Sequence, residues 1–326
     1  MLQTSVISIL PKLFGGLILF LYSIRRLSLA LQNVFTDKAK KSIAHYTKNI
    51  LGSLLIGVIV TILLGSSSAT IIIAIVFINA GTLNFKQVIG IILGANIGTT
   101  FSSQLIAFNI SKYSVAPLII GFILWLFFKS SKVNKIGEII MFFGLLFFGL
   151  YLLENSLLPL KNNELFTKWI LTTSDPIKSV GIGGLVTLII QSSSATVGIL
   201  IVLAKQQLIG LSSGLAIMLG AELGTCSDTL IAVIGGKRDA LRAGIFHLFF
   251  NLTAIIFAIL FFDDFVWLIQ QFSKSESIHT QIANGHFIFN ALSMLLFLPF
   301  SGFIFCFISF IIPDKKIIDC IEKNEE

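Results

Sequence analysis

Two identical serine triplets carry the clearest chemistry in this sequence. Ser66, Ser67 and Ser68 stand in GSSSATIIIA (65–74), and Ser192, Ser193 and Ser194 in QSSSATVGIL (191–200), each in the middle of a long apolar stretch. A serine run that opens a helix caps backbone N–H groups that have no partner within the helix. It also adds hydroxyl donors where the macrodipole places about half a positive charge. In hydrocarbon such an end is costly unless something binds it, and a small oxyanion is a fitting ligand. Gln191 adds an amide to the second triplet. One triplet is explained as well by hydrogen bonds to its own helix or to a neighbour. Two triplets at matching positions favour an anion cradle made from both.

A second pair of motifs follows, LGANIGTT (93–100) and LGAELGT (219–225). Gly94 and Gly98, like Gly220 and Gly224, weaken a helix twice within five residues. Unwound backbone there would expose carbonyls, to which Asn96, Thr99, Thr100 and Thr225 add side-chain oxygens. Such an oxygen-rich site suits a hard cation such as Na+; close helix packing through glycine is the other reading. Glu222 and Asp228 put two acids in the second copy. An acid inside an apolar helix marks a functional site by default, although Glu222 could also pair with a basic side chain such as Arg242 or tie two helices together. His247 and His286 each precede an Asn by four residues, on one helix face, where a hydrogen bond between helices explains them better than a substrate contact.

The elements that position these residues follow from composition. Of 326 residues 55% are hydrophobic and only 12% charged, with 31 Phe and a mean hydropathy of +0.95. A soluble surface needs about 25% charged residues, so the chain is an integral membrane protein whose partner is the lipid bilayer. Apolar segments at about 13–31, 49–80, 87–110, 113–128, 139–158, 179–204, 206–234, 243–262 and 284–312 show no alternation of period two, which predicts an all-α fold. Stretches 32–48, 159–178, 263–280 and 313–326 are expected as loops or tails within one transport domain, 1–326. The net charge of +7 lies in inter-helix loops and speaks for topology, not nucleic acid. Three scattered cysteines make neither a disulfide framework nor a metal site. No phosphate loop of the GxxxxGK[ST] type is present, and no secretory signal stands out.

Sliding the sequence by 126 residues superposes both motif pairs without a gap, and 17 of the 44 positions from Gly57 to Thr100 match those at 183–226. The chain is therefore duplicated, with one repeat at 13–130, a second at 136–262, and an additional helix at 284–312. Each repeat reads as a helix, a serine-tipped segment, a Gly-broken helix and a further helix. Between Lys178 and Lys205 lie 26 uncharged residues. One span needs roughly 20 and two need roughly 40, so a hairpin with the serines at its tip fits best. Hairpins leave three crossings per repeat and hence inverted repeats. Lys and Arg divide equally well between the faces with spanning helices, and both arrangements put the C-terminus in the cytoplasm.

The sequence SSSAT…LGANIGTT followed by QSSSAT…LGAELGT, with HLFFN (247–251) and NGHFIFN (284–290), resembles the type II sodium/phosphate cotransporter family over about 13–310. The resemblance implies a bacterial short form without the appended regulatory domain, located in the inner membrane. It implies uptake of inorganic phosphate by alternating access, with re-entrant hairpins carrying the phosphate-binding serines and Na+ as coupling ion, no other cofactor and no enzymatic activity. The sequence departs from the family where Gly65 replaces the first glutamine of the QSSS pair and Glu222 the asparagine of the second GANIGT. Proton coupling and export remain alternatives, as do a channel and an intramembrane serine hydrolase using a tip serine with His247 or His286. Oligomeric state is left open.

Overall fold

The computed structural model describes residues 2–32, 46–108, 111–128, 131–158 and 175–314. Most of the expected loops 32–48 and 159–178, and all of 315–326, lie outside these residues. The described residues form helices and connecting turns with no strand, in agreement with the all-α reading. In chain order the helices are α1 (Leu2–Gln32), α2 (Ile50–Leu64), α3 (Ser67–Asn79), α4 (Phe85–Ala107), α5 (Val115–Phe127), α6 (Ser131–Leu157), α7 (Pro176–Ile190), α8 (Ser193–Lys205), α9 (Leu211–Gly224), α10 (Cys226–Ala232), α11 (Arg238–Leu260), α12 (Phe262–Phe272), α13 (Ile278–Phe297) and α14 (Ser301–Ile311). Among the described residues six segments are long and apolar enough to cross a membrane: 10–31, 85–107, 132–157, 211–232, 238–260 and 278–311.

The two serine segments are helical hairpins. Arms α2 and α3 have 15 and 13 residues, as do α7 and α8. At 1.5 Å per residue each arm measures about 20–22 Å, short of a hydrocarbon core of about 30 Å. The first hairpin returns to where it began, because Gln87 Nε2, just beyond it, donates to Thr47 Oγ1, just before it, at 3.2 Å. Asn49 caps α2 and Asp175 caps α7, each accepting from the first turn.

The glycines of the LGAxxGT motifs pack helices and do not unwind them. Helix α4 runs unbroken through Gly94 and Gly98, against the expectation of a broken helix; in the second copy α9 and α10 are separated only by Thr225, whose dihedrals stay helical (φ −63°, ψ −25°). At Gly94 an added Cβ would lie 2.0 Å from the Leu54 carbonyl oxygen, and at Gly57 2.3 Å from that of Ile91. The second copy repeats this at Gly220 (2.0 Å, Val180) and Gly183 (1.9 Å, Ile217). Each hairpin's first arm thus lies backbone to backbone on its own glycine helix, α2 on α4 and α7 on α9. Lipid is as apolar as the side chains, so such close van der Waals contact is the attraction available between membrane helices.

Two further segments differ from expectation. Residues 263–280, read as a loop, contain α12, whose Phe262, Phe265 and Ile269 fall on one buried face. The last apolar stretch begins earlier, at Ile278, and is divided by a 3-10 turn at Leu298–Phe300, where Pro299 cannot donate to a helix ladder. Helix α13 packs on α4, α8 and α9, so the helix outside the duplication touches both glycine helices.

If backbone contact holds each hairpin, a single methyl at the crossing will loosen it. Gly94→Ala and Gly220→Ala should each lose about 1–3 kcal/mol of stability, read as a lower unfolding temperature in detergent. Gly181→Ala, with nothing within 4 Å of the new Cβ, should be unchanged or slightly stabilised. Equal melting of all three would show that the crossings do not hold the hairpins.

Candidate functional site

Both hairpin tips are built by the same bonds, offset by 126 residues. The chain leaves the first arm through a left-handed residue, Gly65 (φ 64°) or Gln191 (φ 58°), whose N–H donates to Thr61 O at 2.8 Å or Thr187 O at 2.6 Å. An extended serine follows, Ser66 or Ser192, whose Oγ accepts from Ala69 N or Ala195 N at 3.2 Å and so caps the second arm. The arms are then latched by hydroxyls: Thr61 Oγ1 donates to Thr70 Oγ1 at 2.8 Å, and Thr70 Oγ1 to Ser66 O at 3.1 Å. Thr187, Thr196 and Ser192 repeat this at 2.8 and 3.2 Å. Sequence reasoning passed over these four threonines, although all four stand at matching positions of the duplication. Gly65 now has a backbone reason, since a left-handed residue costs roughly 1–2 kcal/mol with a side chain and little as glycine. Gln191 bears that cost and keeps its amide at the tip.

What the tips leave unused is donors. Ser67, Ser193 and Ser194 are only 5%, 4% and 4% exposed, and among the described residues their hydroxyls have no hydrogen-bond partner. The first N–H groups of α3 and α8 are likewise without helical acceptors. Gly65 of the first tip and Ser194 of the second line one cavity of about 230 Å³, together with Ser102 and apolar side chains of α1, α4 and α6. One cradle residue, Ser194, and the turn residue of the other tip, Gly65, thus border one space. Ser68 instead donates to Asp228 Oδ2 at 2.9 Å.

The expected cation ligands do not converge on one point. Asn96 Nδ2 donates to Asn251 Oδ1 at 2.8 Å. Thr99, Thr100 and Thr225 donate to carbonyls of their own helices, those of Ala95, Ile97 and Ala221. Glu222 Oε1 meets His286 Nε2 at 2.9 Å, and His286 Nδ1 meets Ser103 Oγ at 2.6 Å. Arg242, the basic partner considered for Glu222, is instead held by Asp239, Asp314 and the Ile312 carbonyl. Asp228 shares the apolar helical stretch 211–232 with Glu222, since Thr225 keeps helical dihedrals (φ −63°, ψ −25°), but six residues on it points to another side and meets the first tip. Among the described residues no group of three or more His, Cys, Asp or Glu could hold a metal ion.

His247 meets Thr229 Oγ1 at 2.9 Å and His286 joins α4, α9 and α13, so both histidines tie helices together. Ser103, His286 and Glu222 are connected like a nucleophile, base and acid. They are 0%, 0% and 3% exposed, and among the described residues His247 and His286 hydrogen-bond no tip serine. Asn290, one turn beyond His286, is fully buried with Oδ1 unpartnered. Ser103 carries no motif signal in the sequence, whereas Asn290 is the Asn four residues after His286 that closes NGHFIFN.

Comparison with known proteins adds an independent line. A family model described as Na+/Pi-cotransporter matches twice, over residues 19–155 and 158–296. The chain is 30% identical over 304 residues to uncharacterized protein YqeW of Bacillus subtilis, covering 93% of this chain and 98% of that protein. It is 25% identical over 264 residues to the putative inorganic phosphate export protein YjbB of Salmonella typhimurium, 81% of this chain but 48% of that protein, so it spans about half the length of that relative. Against the rat sodium-dependent phosphate transport protein 2A it is 33% identical over 105 residues, 30% of this chain and 16% of the relative. No solved structure matches.

The buried acid–imidazole contact makes a direct test of the helix ties. His286→Leu leaves Glu222 without its partner and should cost about 3–5 kcal/mol. Adding Glu222→Gln should restore part of it in a double-mutant cycle of unfolding temperatures. Strictly additive losses would mean that the two side chains do not interact.

Proposed function

The chain belongs to the Na+/Pi-cotransporter family, matched in both halves, and on that premise we propose that it is a secondary active transporter of inorganic phosphate, coupled to Na+. The observation that carries this reading is the pair of matching tips, whose Ser67, Ser193 and Ser194 are buried with hydroxyls uncommitted among the described residues, while Gly65 of one tip and Ser194 of the other border one mostly apolar cavity. A phosphate there would receive hydroxyl and backbone N–H donors from Ser66, Ser67, Ser68, Ser192, Ser193 and Ser194, with Gln191 adding an amide. Two helix N-termini aimed at an anionic substrate are a recurrent plan of transporters built from inverted repeats.

The repeats, 13–130 and 136–262, are taken as inverted, with both hairpins re-entrant and the protein in the cell's inner membrane, C-terminus in the cytoplasm. Contacts at the helix ends support this. Asn79, closing the first hairpin, accepts from Lys237 N at 2.9 Å. Lys205, closing the second, reaches Ile106 O at 3.2 Å and Glu154 at 3.1 Å, at the far ends of α4 and α6. For coupling, Asn96, Thr99, Thr100, Thr225, Glu222 and Asp228 supply oxygens; the threonine hydroxyls keep lone pairs for Na+ even while donating to their own helices.

A second reading, proton coupling or export, draws on two observations. Glu222 and His286 form a buried acid–imidazole contact at 2.9 Å, and a relative matched over 81% of this chain is named a putative inorganic phosphate export protein. In proteoliposomes, labelled phosphate should enter with an imposed Na+ gradient; entry driven by a pH gradient alone would favour the second reading. Replacing Glu222 by Asn should flatten the pH dependence or shift the Na+ requirement, and identical profiles would leave Glu222 structural.

Two more measurements test the cradle and the topology. Losing one hydrogen bond to a charged ligand costs about 1.5–3 kcal/mol, so Ser67→Ala and Ser193→Ala should weaken phosphate binding roughly ten- to hundredfold. Unchanged affinity in both removes the cradle. Single cysteines at exposed Thr82 and Gln207, in a cysteine-free background, should label from opposite faces, Thr82 from the cytoplasm. Labelling from the same face would rule out inversion.

A further inference from the structure

We propose that Asp228 makes the site selective for oxyanions that carry a proton, such as hydrogen phosphate, over fully ionised ones such as sulfate, by accepting a hydrogen bond from the substrate's own O–H. The proposal rests on the oxyanion reading of the serine tips. A carboxylate at an anion site is otherwise counterproductive, because like charges at contact repel. Yet Asp228 Oδ2 accepts from Ser68 Oγ at 2.9 Å, in the first turn of the 13-residue helix α3. Among the described residues no Lys, Arg or His forms an ion pair with it.

Acceptor counting turns this oddity into selectivity. An ionised carboxylate offers about four lone-pair sites and no donor. The Ser68 hydroxyl engages one, and the others can take a proton from a ligand. Hydrogen phosphate has such a proton near neutral pH, whereas sulfate has none and would bring only repulsion and an unpaired acceptor. The duplication sharpens the point. The residue 126 positions before Asp228 is Ser102, which lines the cavity with Ser194. The second tip therefore offers hydroxyls where the first adds an acceptor. That combination complements an ion with several acceptor oxygens and one O–H. The buried, uncommitted hydroxyls of Ser67, Ser193 and Ser194 supply the donors such an ion needs.

The test is competition against labelled phosphate uptake by the full chain in proteoliposomes. In the parent, arsenate, which also carries a proton, should compete about as well as phosphate, and sulfate at least about a hundredfold less well, as sites built to bond a substrate hydroxyl reject analogues lacking it. Asp228→Ser, which installs the residue of the first repeat, should bring sulfate to within about tenfold of phosphate. Asp228→Asn is read in the same way should the serine variant fail to fold. Asp228→Glu should keep the discrimination. Ser68→Ala should weaken phosphate and arsenate without admitting sulfate. Asp264→Asn, removing a charge on exposed α12, should change nothing. A parent that admits sulfate, or Asp228 variants that fold and reject it as strongly as the parent, overturns the proposal while leaving phosphate transport intact. A parent that carries no phosphate at all overturns the transport reading and this one with it.

Discussion

A helix that stops inside a bilayer must satisfy its own end, since no water is there to do it. Both hairpins meet that constraint in the same way, and the site is what the solution leaves over. The serine at the turn caps the new helix, and the paired threonine hydroxyls carry a hydrogen-bond relay from the first arm across to the serine carbonyl. Once these groups are spent, and with Ser68 donating to Asp228, the remaining donors are the hydroxyls of Ser67, Ser193 and Ser194 and the first N–H groups of each second arm. Because the threonine relay couples the arms, the donors are held in place before any ligand arrives. Binding then need not meet the entropy cost of ordering them.

Holding a tip in place also requires that the arms not slide. Gly57 against Gly94, and Gly183 against Gly220, provide this by letting backbones touch. The same glycines look like helix breakers in the sequence, where each costs about 1 kcal/mol relative to alanine. In α4 close packing outweighs that cost and the helix continues. In the second copy Thr225, one residue past Gly224, keeps helical dihedrals and donates to Ala221 O at 3.3 Å, and helical periodicity carries Asp228 to the first tip and Glu222 to another side. A local propensity argument found the right residues and assigned them the wrong work, because the deciding interaction lies in another helix.

The all-α class, the hairpins and the duplication were legible because each rests on a pattern within a short window: uninterrupted apolar runs, a length of 26 residues, SSSAT twice. The family was legible for the same reason. Partners at long separation were not. His286 is 64 residues from Glu222, and Arg242, nearer in sequence, is taken up by Asp239, Asp314 and the Ile312 carbonyl. Asp228 was grouped with Glu222 by its nearness in the chain, while its contact is 160 residues away. Helix α12 escaped because its mean polarity hides Phe262, Phe265 and Ile269, spaced three and four apart on one face.

Duplication makes the differences between the halves as informative as the likenesses. The bonds that build each tip recur in both copies, whereas side chains that face other elements diverge: Asn96 meets Asn251 and Glu222 meets His286; Ser102 lines the cavity and Asp228 meets Ser68. The hairpin ends diverge too. Asn79 holds a backbone N–H, a neutral bond, while Lys205 is clamped between a carbonyl and Glu154, with side chains only 10% and 15% exposed. Parting the first contact exchanges one neutral hydrogen bond for water, but parting the second separates a shielded ion pair, whose charges both need rehydration. A carrier made of two identical halves would open to either face with equal ease. On the alternating-access reading proposed above, these end contacts remove that equality and place the difference in a few side chains laid over a backbone that both halves share.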